Sequence, residues 1–122
     1  DDITPYRHLG IAPPPLHLLI NRVHSVSSNA RAIQQALHQL FRRQVGVSLL
    51  ATSIPAIEAY PRAATLSQPV HRVEHRRPHG RVAPAALETI KTLARELLPQ
   101  WEDRFDGVTP ATCRRAAHVE YR

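Results

Sequence analysis

The chain has 122 residues, of which 43% are hydrophobic, and its formal net charge is +6 at pH 7. This hydrophobic fraction excludes a disordered chain and suits one small domain or part of a larger one. No apolar run approaches the roughly 20 residues that span a bilayer, and no signal peptide is visible, so we expect a cytoplasmic protein without a membrane partner.

The first half of the chain predicts a strand, a helix and a second strand. A short apolar run at 16–21 follows a proline cluster and has the length of a buried strand. Apolar residues then recur at helical spacing up to Phe41, after a polar stretch in which Ser28 or Asn29 can cap the helix. Beyond an isolated glycine, the apolar run at 47–53 predicts the second strand, which is stopped by Ile-Pro.

The second half predicts two helices, an extended segment and a tail. Residues 57–66 have the pattern of a short helix, and residues 69–73 that of an extended segment. The strongest helical pattern covers 83–98, where one face is apolar and a proline follows the last residue. Residues 100–122 show no sustained period, so we expect a loosely packed tail with a short helix at 110–118.

Strands that alternate with helices predict a parallel sheet and an α/β fold. A parallel sheet is normally covered on both faces and rarely consists of two strands alone. We therefore expect residues 1–99 to be the C-terminal portion of a doubly wound, mostly parallel sheet with two core strands and flanking helices. The chain contains no methionine and begins at Asp1, which favours a fragment or a trimmed chain.

Three segments resemble the late part of ParA- and MinD-type ATPases. Residues 18–37, LLINRVHSVSSNARAIQQAL, resemble a strand that ends in Asn-Arg or Asn-Lys before a polar turn and a helix. Residues 47–73 resemble the next unit, whose strand closes on Ile-Pro, and residues 83–99 resemble the closing helix. The resemblance covers residues 10–99 in the same order. The chain departs from the family pattern at His24, Ala56 and Ser67.

The resemblance implies a P-loop NTPase fold for a parent protein that uses ATP and Mg²⁺, forms a homodimer and works with a ParB-like partner in plasmid or chromosome partition. It also implies that two strand ends flank the adenine base. Ligands of open α/β sheets bind beyond the carboxyl ends of the strands, and an amide side chain offers adenine both a donor and an acceptor. From the residues alone, the simpler interpretation is that Asn21 caps a turn. The candidate nucleotide-binding residues are Asn21, Arg22, Ile54 and Pro55.

The phosphate-binding part of such an ATPase is missing from this sequence. None of the four glycines lies in a G-x-x-x-x-G-K-[ST] setting, and the only lysine, Lys91, falls within a predicted helix. No acidic residue ends an early strand, where it could hold Mg²⁺. We therefore expect no catalytic residue in this chain, no nucleotide bound by it alone and no ATP hydrolysis without the rest of the parent.

Arginines provide nearly all of the positive charge. ParA-type proteins bind DNA nonspecifically through basic residues of this half, so the resemblance implies nonspecific contacts with phosphates. The alternative is a solvated charged surface. The candidate DNA-binding residues are Arg42, Arg43, Arg62, Arg72, Arg76, Arg77 and Arg81.

Two other functions remain open from the sequence. The net charge also fits a small independent nucleic-acid-binding protein. A MinD-like ATPase for site placement is the other candidate, but residues 110–122 lack the apolar stripe of a membrane-binding helix, which favours ParA over MinD.

Histidine and cysteine residues offer two further candidate sites. His71, His75 and His79 recur at four-residue spacing, which on a helix could present imidazoles to zinc. Pro78 breaks a helix there, so we expect a solvated loop and no metal site. The single cysteine, Cys113, can form no disulfide within the chain, and nothing around it indicates an activated nucleophile.

Overall fold

The computed structural model describes residues 9–12, 14–24 and 27–120. Two strands, β1 (Leu16–Val23) and β2 (Val47–Pro55), pair in parallel and are joined by helix α1 (Ser28–Phe41). The chain continues through α2 (Ala59–Leu66), α3 (Val70–Val73), α4 (Ala86–Leu97), a 3₁₀ turn (Pro99–Trp101), α5 (Glu102–Asp106) and α6 (Pro110–Glu120). The predicted α/β class, with a parallel strand pair and flanking helices, is confirmed. Residues 1–8 of the predicted region 1–99 and residues 121–122 of the predicted tail lie outside the described residues.

The pairing of β1 with β2 begins in regular register and then shifts twice. Leu18 pairs with Leu49, but the next paired residue, Ile20, lies opposite Ser53, so β2 carries extra residues at this point. Such a bulge bends a strand and redirects its side chains. A second shift follows between Ile20 and Val23. The carboxyl end of β1, which holds Asn21 and Arg22, therefore departs from a regular strand.

Helix α1 begins one residue earlier than the sequence indicates. The hydroxyl of Ser27 accepts a hydrogen bond from the backbone N–H of Ala30 at 3.2 Å, so Ser27 is the N-cap and the predicted cap at Ser28 or Asn29 is wrong. None of the side chains of α1 is buried, and Ile33 is 60% exposed. The apolar stripe that predicted this helix is therefore largely uncovered in the described part of the chain.

The core lies on the β2 side of the sheet. Its buried apolar residues include Leu50 and Ile54 of β2, Ala59 and Ala63 of α2, and Leu87 of α4. Among the described residues, β1 and α1 contribute no fully buried side chain. The sheet is thus packed on one side, while its β1 edge has no neighbouring strand in the described part of the chain.

One segment predicted as extended is helical. Residues 69–73 contain the single turn α3, which Pro69 precedes in an extended conformation and which the hydrogen bond from the Glu74 N–H to the Val70 carbonyl closes. Proline is tolerated before a first turn because its missing N–H would have no partner within the helix. A single turn is also too short to show a helical period in the sequence. The extended prediction for this segment is therefore wrong.

The tail contains more regular structure than the sequence indicates. The short helix predicted at 110–118 is confirmed by α6, and a 3₁₀ turn and α5 precede it. Cys113 on α6 is only 3% exposed, and Arg95 of α4 forms an ion pair with Asp106 at 2.7 Å. The described tail is therefore held against the helices before it. Within the described residues, no helix is both long and apolar enough to cross a membrane.

Candidate functional site

A cavity of about 560 Å³ opens beyond the carboxyl ends of the two strands. Asn21 and Arg22 of β1 and Ile54 and Pro55 of β2 line one part of it, and residues from the following loop and α2 line the rest. Its volume lies within the roughly 300–1,000 Å³ typical of small-molecule sites. The structure thus brings the four candidate nucleotide-binding residues together at one cavity.

The walls of this cavity combine apolar surfaces with a few polar groups. Ile54 and Pro55 are buried and form an apolar wall, to which the loop residue Ile57 contributes. Tyr60 of α2 also lines the cavity, and burial raises the pKa of its phenol. Mostly apolar walls with a small number of polar groups suit the flat face of an aromatic ring.

The end of β1 holds Arg22 in a conformation that arginine rarely adopts. The φ angle of Arg22 is +57°, in the left-handed region, where a Cβ atom is crowded by the following carbonyl. Its backbone N–H donates to Oδ1 of Asn21 at 2.9 Å. This is the turn-capping role that the residues alone suggested for Asn21. The amide nitrogen and a second lone pair on Oδ1 are still available for another partner.

Replacing Arg22 with glycine is expected to raise the free energy of unfolding by up to about 1 kcal/mol, because glycine adopts a positive φ without a Cβ clash. Replacing it with valine is expected to lower the same quantity by about 1–2 kcal/mol, since a β-branched residue is least tolerant of this conformation. Urea unfolding of the two variants measures both changes. A valine variant as stable as the glycine variant would show that residue 22 is not held at positive φ in solution.

The charges around the cavity suit a base better than a triphosphate. Arg22 brings one positive charge and Glu58 one negative charge. A carboxylate at this position repels phosphate oxygens, and the chain lacks the glycine-rich loop and lysine of a phosphate cradle. The charges at this cavity therefore favour an uncharged group over a phosphate.

The candidate DNA-binding arginines fall into two groups. Arg62 donates to the Val73 carbonyl at 3.3 Å, Arg72 is half-buried, and Arg81 is bound to Glu74 and to the carbonyls of Ala83 and Pro84. The side chains of Arg42, Arg43, Arg76 and Arg77 are exposed, and so is that of Arg62 despite its bond to the Val73 carbonyl. Because the guanidinium of Arg81 is committed to groups within the protein, we leave Arg81 out of the proposed DNA-binding surface.

A buried carboxylate, which the sequence did not single out as a site, holds the loop between α3 and α4. Glu74 is 9% exposed and accepts hydrogen bonds from two guanidinium nitrogens of Arg81 and, at 3.0 Å, from the N–H of Ala86. The bonds from Arg81 have the largest effect on the carboxyl group and, with the Ala86 N–H, hold the pKa of Glu74 below its usual value despite burial. This contact fixes the start of α4 against the end of α3. The only signal in the sequence was a single acidic residue among several arginines.

The three regularly spaced histidines do not share one helix. His71 lies on α3, whereas His75 and His79 lie in the loop that follows. Burial, with a smaller effect of the nearby Arg72, lowers the pKa of His71 and favours its neutral form. No group of three or more potential metal ligands is found in the part of the chain that the structure describes.

Two strand ends, an amide, a strained backbone position and an apolar wall meet at the cavity of about 560 Å³. No protein family, no curated protein and no solved structure matches the chain.

Proposed function

We propose that the chain is the C-terminal part of a ParA-like, P-loop ATPase that acts in plasmid or chromosome partition. In this role it supplies the adenine side of the nucleotide site and part of a nonspecific DNA-binding surface. The observation that carries the proposal is the convergence of Asn21, Arg22, Ile54 and Pro55 at one cavity beyond two parallel strands. The resemblance of the sequence to the family implies a nucleotide site at the same four residues.

The chemistry of these residues supports recognition of adenine. The apolar wall of Ile54 and Pro55 can pack against the base, while the Asn21 amide can donate to a ring nitrogen and accept from the exocyclic amine. ATP and Mg²⁺, when bound to the parent, supply the phosphoryl group and its charge neutralisation, and their phosphate-side ligands belong to other parts of the parent. The role of this chain is to bind and orient the base.

The open β1 edge supports the proposal that the sheet belongs to a larger, doubly wound one. Parallel sheets are normally buried on both faces, but here the β1 residues Leu16 and Leu19 and most of α1 are exposed. Further strands of the parent would pair with β1 and cover these side chains. Dimerisation and a ParB-like partner are parts of the same proposal.

Replacing Asn21 with alanine in the parent protein is expected to weaken ATP binding and its preference over GTP by about 1–3 kcal/mol, because polar groups of the base lose their partner. The residual binding should still depend on Mg²⁺. Nucleotide titrations with thermal melting of each variant provide the measurement. The matched control is Asn29→Ala, an exposed asparagine on α1 that does not line the cavity. Unchanged affinity and base preference would leave Asn21 with its turn-capping role alone.

Replacing both Arg76 and Arg77 with alanine is expected to weaken binding of duplex DNA equally for all sequences. If each arginine contacts one phosphate, the slope of log K against log salt should become less negative by about 1.8. Fluorescence anisotropy at several salt concentrations measures this slope. The matched control is Arg114→Ala with Arg115→Ala, which removes the same charge from exposed positions on α6.

Equal effects of the two arginine pairs on DNA binding would indicate a general charge effect and contradict a site at Arg76 and Arg77. If DNA binding depends on Arg76 and Arg77 but Asn21→Ala leaves nucleotide preference unchanged, the results would favour an independent nucleic-acid-binding protein. The two experiments together therefore separate the partition ATPase from its main alternative.

A further inference from the structure

A second, smaller cavity of about 230 Å³ lies on another side of Pro55, which also lines the first cavity. Four polar side chains line the smaller cavity and come from three parts of the fold. His24 follows β1, Arg31 and Gln34 are three residues apart on α1, and Ser53 belongs to β2. Residues three apart on a helix share a face, so Arg31 and Gln34 point toward the same side of α1.

The polar groups of this cavity can all donate hydrogen bonds, and none of the lining residues is acidic. The side chains of His24, Arg31, Gln34 and Ser53 make no hydrogen bond or ion pair with the residues that the structure describes. Elsewhere in the described chain, Arg81 and Arg95 are both neutralised by carboxylates. The small cavity thus combines a positive charge with several donors that have no described partner.

We propose that this cavity binds a small oxyanion of the phosphate class, either free phosphate or the phosphate group of a small ester. Its volume is below the roughly 300–1,000 Å³ of cavities that hold drug-sized ligands, which limits the occupant to a small group. A guanidinium presents a fork of N–H donors that matches two phosphate oxygens, and the hydroxyl and amide can serve the others. The inference does not depend on the proposed nucleotide site or on the ATPase function.

The test is a titration of the complete 122-residue chain with inorganic phosphate at constant ionic strength, followed by calorimetry. We expect saturable binding with one phosphate per chain. Arg31→Gln should weaken it about tenfold or more, because charge-assisted hydrogen bonds are lost. The matched control is Arg115→Gln, which removes the same charge from an exposed position on α6, outside the cavity, and should change affinity less than twofold. Far-UV circular dichroism of each variant confirms that the helices are retained.

A second variant, Ser53→Ala, keeps the test independent of Arg31 and is expected to weaken phosphate binding several-fold. Competition with a small phosphate monoester distinguishes the two sources, since an ester that displaces phosphate and binds more tightly identifies the ester as the preferred ligand. Absence of saturable binding, or equal losses in Arg31→Gln and Arg115→Gln, would overturn the proposal. Equal weakening of phosphate and duplex DNA by Arg31→Gln would also overturn it, because the anion would then be part of a nucleic-acid backbone.

Discussion

Replacing Glu74 with alanine is expected to lower the free energy of unfolding by about 2–4 kcal/mol. Removal of one partner of a buried ion pair typically costs about 3–5 kcal/mol, and we reduce this range here because the Arg81 side chain is 22% exposed. The variant also leaves the N–H of Ala86 without its described acceptor, at a residue that is fully buried. Both effects act at the start of α4, which carries the core residue Leu87.

Urea unfolding of wild type and Glu74→Ala measures this loss, and Glu102→Ala provides a control because it removes an exposed carboxylate from α5. A double variant with Arg81→Ala should cost less than the sum of the two single variants, since the residues share one contact. If Glu74→Ala lowers the free energy of unfolding by less than about 1 kcal/mol relative to wild type, the contact does not hold α4 in place.

The same carboxylate contributes to the acid stability of the protein. The pKa of Glu74 in the folded state lies below that in the unfolded chain, because Arg81 and the Ala86 N–H stabilise the ionised form more than burial destabilises it. Its contribution to the free energy of unfolding is therefore fully present above the pKa of glutamate in the unfolded chain and is lost as the pH falls through the lower pKa of the folded state. In Glu74→Gln, stability should decline less steeply in this range than in wild type. Unfolding curves between neutral pH and strong acid would show the difference.

Replacing Glu96 with alanine is expected to lower the free energy of unfolding by about 1.5–3 kcal/mol. Its carboxylate accepts hydrogen bonds from the N–H groups of Ala51 and Thr52 at 2.5 and 3.0 Å and from the Thr52 hydroxyl at 2.6 Å. Ala51 and Thr52 lie within the bulge of β2, where the register shift leaves them without a paired residue on β1. Helix α4 therefore supplies acceptors for their backbone N–H groups. Bonds to a charged acceptor are worth about 1.5–3 kcal/mol each when buried, and we reduce their sum because Glu96 is exposed.

Amide hydrogen exchange gives a local measurement of the Glu96 contact. The N–H groups of Ala51 and Thr52 should exchange faster in Glu96→Ala, whereas Glu96→Gln, which keeps one acceptor oxygen, should be intermediate. The N–H of Leu98, which bonds to the Ala94 carbonyl at the C-terminal cap of the same helix, serves as the internal reference. Unchanged exchange at Ala51 and Thr52 would show that the carboxylate does not hold the bulge in solution.

The clearest predictions from the sequence concern the elements whose own residues form an apolar run or an apolar stripe. The apolar runs at 16–21 and 47–53 mark the two strands, and the apolar stripe over 83–98 marks the helix observed as Ala86–Leu97. The ends of the two strands could also be placed, because polar residues or Ile-Pro follow each apolar run. In a parallel pair those ends lie at the same edge, which is why residues far apart in the chain could be assigned to one candidate site.

The remaining features depend on tertiary contacts that leave no period in the sequence. Nothing local distinguishes Glu96 from other exposed glutamates, since its partners lie 45 residues away on β2. The positive φ of Arg22 could not be inferred because arginine has no preference for the left-handed region, and the structure around it imposes that conformation. The pairing of Glu74 with Arg81 requires the intervening loop to fold back, and no local pattern in the sequence indicates it.

The wide separation of the paired segments also determines when the sheet can form during synthesis. His17 and Ser48, which are neighbours across the strands, lie 31 residues apart, and the acceptor for the β2 bulge follows 45 residues after Ala51. A ribosome adding 5–20 residues per second needs roughly 2–9 seconds to make the segment from Ala51 to Glu96. During that interval β2 has been synthesised, but the Glu96 carboxylate that binds its bulge has not. The apolar strands are then exposed, and the loop between β2 and Glu96 is not yet closed. The nascent chain therefore passes through a period of several seconds in which chaperones can bind it and in which it is most prone to aggregate.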